Sequence, residues 1–88
     1  MRRAARIDNT ATALIAYAKS IGFDYGVING DIDGYLWVGR RVVLVDWKSP
    51  GGELTPTQAR MVAKGAPIHF VSKPEQLDFL KSDLMRVA

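Results

Sequence analysis

Residues 33–58 read DGYLWVGRRVVLVDWKSPGGELTPTQ, and the fold turns on this stretch. Tyr35 to Val38 is a short run of aromatic, Leu and β-branched residues. Gly39-Arg40 has the composition of a two-residue hairpin loop, and Val42 to Trp47 follows as an almost continuously apolar run. Such continuity marks a strand covered on both faces, so Val42–Trp47 is predicted at the centre of a sheet. Thr55-Pro56 then has the form of a helix start. The Thr hydroxyl can accept from a free first-turn N–H, and Pro fits the first helical position because its missing donor is not needed there. That helix is expected to reach about Lys64 and stop at Gly65.

Downstream, Ile68 to Val71 is a further short strand, expected to lie parallel to the Val42 strand through a right-handed helical crossover. Ser72-Lys73-Pro74-Glu75 opens a last helix, whose Leu77, Leu80, Leu84 and Val87 share one face. Upstream, Tyr25–Ile28 is a strand ended by Asn29-Gly30. Positions 7–21 form a helix that gathers Leu14, Ile15, Ala18 and Ile21 on one side, with Asp8 or Asn9 as its cap and Gly22 as its stop. The order is α-β-β-β-α-β-α, a single α/β domain over residues 1–88 with a central mixed sheet flanked by helices.

The 88 residues (9.7 kDa) are 48% hydrophobic and 24% charged, which excludes a disordered chain. No apolar run approaches the length of a membrane span. The opening MRRAARIDNT has no apolar core of a signal peptide behind its arginines, so a cytoplasmic chain is expected. The absence of cysteine removes disulfides, thiolate zinc sites and thiol nucleophiles together. Twelve Lys+Arg against nine Asp+Glu leave a net charge of +3, compatible with a polyanionic partner. A domain this small buries only about 60–65% of its unfolded surface, which makes self-association an expectation.

Charge interrupts the apolar run at one place. Asp46 and Lys48 are two apart on a strand and project from the same face, while Trp47 projects from the other, as core or interface. Asp33 stands at the head of the preceding strand, and hairpin pairing brings it opposite Asp46 within a few residues of register. Two converging carboxylates form a hard oxygen site suited to Mg²⁺ or Mn²⁺. An adjacent ammonium can orient water or stabilise charge that develops on a phosphoryl group. This is the equipment for metal-assisted phosphodiester hydrolysis. As an ordinary strand-end feature, Asp46 and Lys48 are simply an ion pair.

These residues resemble a known group. Asp on the second strand and (Asp/Glu)-x-Lys on the third is the arrangement of the PD-(D/E)xK nuclease superfamily, with its restriction-endonuclease-like core. More narrowly, the chain resembles small phage-type VRR-NUC (virus-type replication-repair nuclease) domains. The likeness rests on NGDIDGYLWVG (29–39), VVLVDWKSPGGELTPTQ (42–58) and APIHFVSKPEQLDFL (66–80), and covers roughly residues 3–82. It implies a Mg²⁺- or Mn²⁺-dependent endodeoxyribonuclease in a bacterial or phage-infected cell, working as a homodimer on branched DNA such as Holliday junctions. Asp33 and Asp46 would be metal ligands with the Trp47 carbonyl as a third. Lys48 would be the catalytic lysine, and Gln58 a helper beside the lysine or the DNA backbone. Two departures stand out. The first helix lacks the expected Glu, its register giving Asn9-Thr10, with no Glu before Glu53; Ile32 stands where the family has Pro. Asp8 is therefore a candidate auxiliary acid, and Asp31 is read as a turn residue or as an auxiliary acid near the site. The alternative reading is a catalytically weakened nuclease fold that only binds DNA or protein.

Other features have plainer readings. Asn29-x-Asp31-x-Asp33-Gly34 imitates a calcium-binding loop but has Arg40 where the twelfth position needs Glu. His69, the only histidine, is read as a core or sheet-edge residue, and Trp37 as packing. Arg2, Arg3 and Arg6, with Arg40 and Arg41 at the hairpin tip, are the candidate DNA-phosphate contacts, which would confer salt-sensitive, sequence-independent affinity.

Overall fold

A computed structural model describes residues 2–86, with side chains described from residue 10 onward. Its elements are α1 (Arg2–Ser20), β1 (Asp24–Val27), β2 (Gly34–Val38), β3 (Arg41–Trp47), α2 (Pro56–Ala63), β4 (Ile68–Val71) and α3 (Pro74–Met85). The sheet order is β1-β2-β3-β4. The first two pairings are antiparallel and β3–β4 is parallel. The expected α/β order and mixed sheet are therefore observed, with the crossover through α2.

The turns follow from glycine chemistry. Gly22 has φ +109°; its N–H reaches the Lys19 carbonyl and the Phe23 N–H reaches that of Ala18, the paired bonds of a Schellman stop. Gly65 (φ +97°) closes α2 in the same way, with Gly65 N–H on Val62 and Ala66 N–H on Met61. In the β2–β3 hairpin Val38 faces Arg41. Gly39 has φ +61° and Arg40 no positive φ, the signs of a II′ turn.

Two expectations need correction. Helix α1 begins at Arg2, so Asp8 and Asn9 lie inside it and do not cap it. Arg and Ala are strong helix formers and carry the helix back through RRAAR. Strand β3 is covered on both faces only from Val45 to Trp47, and Val42 is 62% exposed. The reason lies in the layers: Leu14 and Ala18 of α1 and Leu77 and Leu80 of α3 pack on Leu36, Val45, Trp47 and Val71, all on one face of the sheet. No α2 residue belongs to that core cluster among the described residues. The opposite face, with Tyr35, Trp37 and Val42, stays open at the hairpin end. Fully burying side chains such as Leu36 and Leu77 contributes about 1.5–3 kcal/mol each, and this one-sided core holds the sheet. His69 is exposed on edge strand β4; Val87 lies outside the described residues.

Candidate metal and phosphodiester site at the end of the sheet

The register places Gly34 opposite Val45, so Asp33 comes opposite Asp46 just past the last ladder pair. There the backbone ladder is continued by carboxylates. The Asp33 N–H donates to Asp46 Oδ1 at 3.0 Å, and the Trp47 N–H donates to Asp33 Oδ2 at 2.8 Å. The two acids expected to converge do so. Each uses one oxygen to satisfy a main-chain donor, and each oxygen has a second lone pair to offer.

Lys48 extends the set. Its Nζ lies 3.0 Å from Asp46 Oδ2 and donates to Gln58 Oε1 at 2.9 Å, with the Phe70 ring beneath it at 5.8 Å. Gln58 is buried for two reasons. It closes the capping box of α2, accepting from the Thr55 N–H at 3.1 Å while its own N–H donates to Thr55 Oγ1. Its Nε2 also donates to the Asp31 carbonyl at 2.7 Å. The residue that starts α2 thus fixes the lysine and ties the β1–β2 loop to it. Asp31 takes part through its main chain, while its side chain is exposed.

Electrostatics distinguish the two acids. Burial pushes the Asp33 carboxyl above its ordinary value, opposed by the hydrogen bond from the Trp47 N–H, raised further by the neighbouring Asp46 and lowered by Lys48. Asp46, 5% exposed, holds the ion pair. Two carboxylates face a single ammonium. Trp47, whose N–H points to Asp33, directs its carbonyl to the same side of the strand.

A cavity of about 330 Å³ opens beside Asp33, between α1 and the ends of β1 and β3. Its polar lining includes Thr10, Asn29, Asp33, Lys48 and Ser49, and Thr10 faces it from the register where the resemblance calls for Glu. Among the described residues no group of three or more Asp, Glu or His converges on one point. The donors fit a cation of the Mg²⁺ type, which is commonly bound through one or two carboxylates and keeps several waters. Asp33, Asp46 and the Trp47 carbonyl could hold it.

The other predicted residues stand apart. Arg40 and Arg41 are exposed at the hairpin tip, and Arg41 lies about 17 Å along β3 from Asp46 at ~3.3 Å per residue. The side chains of Arg2, Arg3, Arg6 and Asp8 lie outside the described residues. One participant had no sequence expectation: Tyr25, whose ring packs against Trp47 and whose hydroxyl lies between the Trp47 indole N–H and the Asp33 carbonyl. The available signal was the diagonal Tyr25–Gly34 step across β1 and β2.

Compared with protein-family models, curated proteins and solved structures, the chain returns no match.

Proposed function

We propose that this chain is a metal-dependent, structure-selective DNA endonuclease that hydrolyses phosphodiester bonds. In this reading it is a small nuclease of PD-(D/E)xK, VRR-NUC type with a restriction-endonuclease-like core, acting on branched DNA such as Holliday junctions. The observation that carries the reading is the hydrogen-bonded set Asp33–Asp46–Lys48–Gln58 at the end of the sheet. A surface ion pair does not need a buried carboxylate, a second carboxylate on its neighbour and a buried glutamine holding the lysine. Asp33, Asp46 and the Trp47 carbonyl would hold Mg²⁺ or Mn²⁺, which supplies Lewis-acid polarisation of a phosphoryl oxygen and a more acidic water. Lys48, steadied by Gln58, orients the attacking water and stabilises negative charge on the phosphoryl oxygens. Arg2, Arg3 and Arg6, together with Arg40 and Arg41, bind phosphates without reading bases.

The biological unit in this reading is a homodimer, which presents two sites to a two-fold-symmetric junction. The open sheet face with Tyr35, Trp37 and Val42 supports it, since apolar residues gathered on one exposed surface favour association. The setting is the cytoplasm of a bacterial or phage-infected cell; no helix of the described residues is long and apolar enough to cross a membrane.

A second reading is favoured by Thr10. A threonine facing the cavity in place of a carboxylate leaves a two-acid site, which suits a fold that binds DNA or protein with weakened or no cleavage. Purified protein and its Lys48→Ala variant, incubated with a labelled four-way junction or matched duplex in Mg²⁺, Mn²⁺ or EDTA, separate the two. Metal-dependent cutting lost in the variant supports the nuclease; junction binding without cutting in either metal replaces it with the binding module.

A further inference from the structure

We infer that Tyr25 is a positioning residue, whose hydroxyl sets the orientation of the Asp33 carboxylate by tying Asp33 to Trp47; this rests on the metal-dependent reading of the site. Asp33 lies beyond the last ladder pair of β2, where regular pairing no longer holds it. Its main chain is fixed there by three bonds. The carbonyl accepts from the Ile28 N–H at 2.9 Å and from the Tyr25 hydroxyl at 3.3 Å, and the N–H donates to Asp46. The Tyr25 oxygen also accepts the Trp47 indole N–H at 3.2 Å. Trp47 in turn donates its main-chain N–H to Asp33 Oδ2. Tyr25 therefore closes a ring of hydrogen bonds in which one residue, Trp47, grips both the carboxylate of Asp33 directly and its backbone through Tyr25.

The fold makes room for this ring. A Cβ on Gly34 would lie 2.7 Å from the Tyr25 ring and 2.1 Å from the Gly26 carbonyl, so only glycine lets Tyr25 lie over the head of β2. An aromatic ring that needs only packing has no requirement for its hydroxyl to be placed between two partners. Outer bonds of this kind fix ligand geometry, and their loss commonly weakens metal affinity or activity about tenfold or more.

Tyr25→Phe, which removes only the oxygen, tests the assignment with two readouts in the full chain. Amide hydrogen exchange follows the ring without any metal. The Trp47 and Asp33 N–H groups are expected to exchange about tenfold faster, while those of Leu36 and Val45 in the core keep their protection. A general loss of stability would accelerate all four together and overturn the assignment, as would no change at Trp47. Mn²⁺ titration without DNA is the second readout, with about tenfold weaker binding expected in Tyr25→Phe and none of that loss in Tyr17→Phe, whose hydroxyl donates to Asp78 of α3. Equal Mn²⁺ affinity in Tyr25→Phe and the unaltered chain overturns the assignment. Absence of Mn²⁺ binding to the unaltered chain overturns the metal reading instead, and the exchange result then decides the positioning role by itself.

Discussion

Replacing Lys48 by Met keeps most of the side-chain volume but leaves Asp33 and Asp46 together without a counter-charge. Lys48 Nζ and Asp46 Oδ2 are 3.0 Å apart, with side chains 17% and 7% exposed. At an effective dielectric of ~20 the attraction at that distance is about 5–6 kcal/mol before desolvation and side-chain ordering are subtracted. Removing one partner of a fully buried pair costs about 3–5 kcal/mol. Water reaches part of Lys48, so the expected loss in EDTA is about 1–3 kcal/mol. For a domain of this length that lowers Tm by roughly 10 °C. A divalent cation at a hundred times its Kd restores about 2.7 kcal/mol. Because the variant has released Asp46 Oδ2, it should gain at least as much from Mn²⁺ as the unaltered protein does. Thermal and urea unfolding in EDTA, Mg²⁺ and Mn²⁺ at matched ionic strength measures both effects. If Lys48→Met is as stable as the parent in EDTA, or if Mn²⁺ moves neither midpoint, the carboxylate pair is not a cation site held in balance by Lys48.

Four other outcomes are expected. Asp33 has its carboxyl raised above the ordinary 3.8 by burial and Asp46, so between the unfolded and the raised folded value the folded state binds more protons than the unfolded chain. Its ionisation therefore costs stability as pH rises through the raised value, and Asp33→Asn should gain stability relative to the parent from pH 4 to pH 7 in EDTA; a gain that shrinks with pH contradicts this. Gln58→Ala loses the bonds to Thr55, Lys48 and Asp31 and should cost about 2–4 kcal/mol by urea unfolding, whereas a loss under 1 kcal/mol would make the glutamine dispensable to the site. Gly34→Ala drives a Cβ into the Gly26 carbonyl and the Tyr25 ring, and should destabilise by about 3 kcal/mol or more; a neutral result would contradict the close β1–β2 approach. Trp37→Glu should change monomer stability by roughly 0.5 kcal/mol or less and abolish the proposed dimer in sedimentation velocity; a parent that sediments as a monomer contradicts the dimer, and an unchanged dimer in the variant would place the interface elsewhere.

The elements legible from residue order were those marked by local chemistry. Gly22, Gly39 and Gly65 end or turn the chain where expected because a positive φ is a property of one residue. Thr55-Pro56 starts α2, and its capping partner three residues on is the same Gln58 that was assigned to the site. Asp33 and Asp46 were brought together by period-2 alternation and a two-residue loop, both counted along the chain. What escaped depended on contacts with no sequence period. The exposure of Val42 follows from both packing helices lying on one face of the sheet, which an apolar run cannot specify. The bond from Gln58 to Asp31 was not legible either, because it runs to a main-chain carbonyl, and carbonyls carry no residue identity. Tyr25 had no sequence expectation because its hydroxyl bonds groups eight and twenty-two positions away.

The charge distribution explains why the site is built from so many hydrogen bonds. The chain as a whole carries +3, yet at the end of the sheet two carboxylates share one ammonium. Leaving Asp33 and Asp46 both ionised in a partly buried setting is unfavourable unless donors or cations compensate, and the raised Asp33 carboxyl is the residual of that imbalance. A purely structural arrangement could remove the cost by replacing Asp33 with Asn, which keeps an acceptor for the Trp47 N–H and drops the charge. Retaining the acid keeps a charge at the site that Asn would remove, and the proposed function gives that charge a use. In the proposed reading a divalent cation held by Asp33 and Asp46 would supply that compensation beside the cavity. The pH dependence of Asp33→Asn and the Mn²⁺ response of Lys48→Met therefore test the same imbalance from opposite sides.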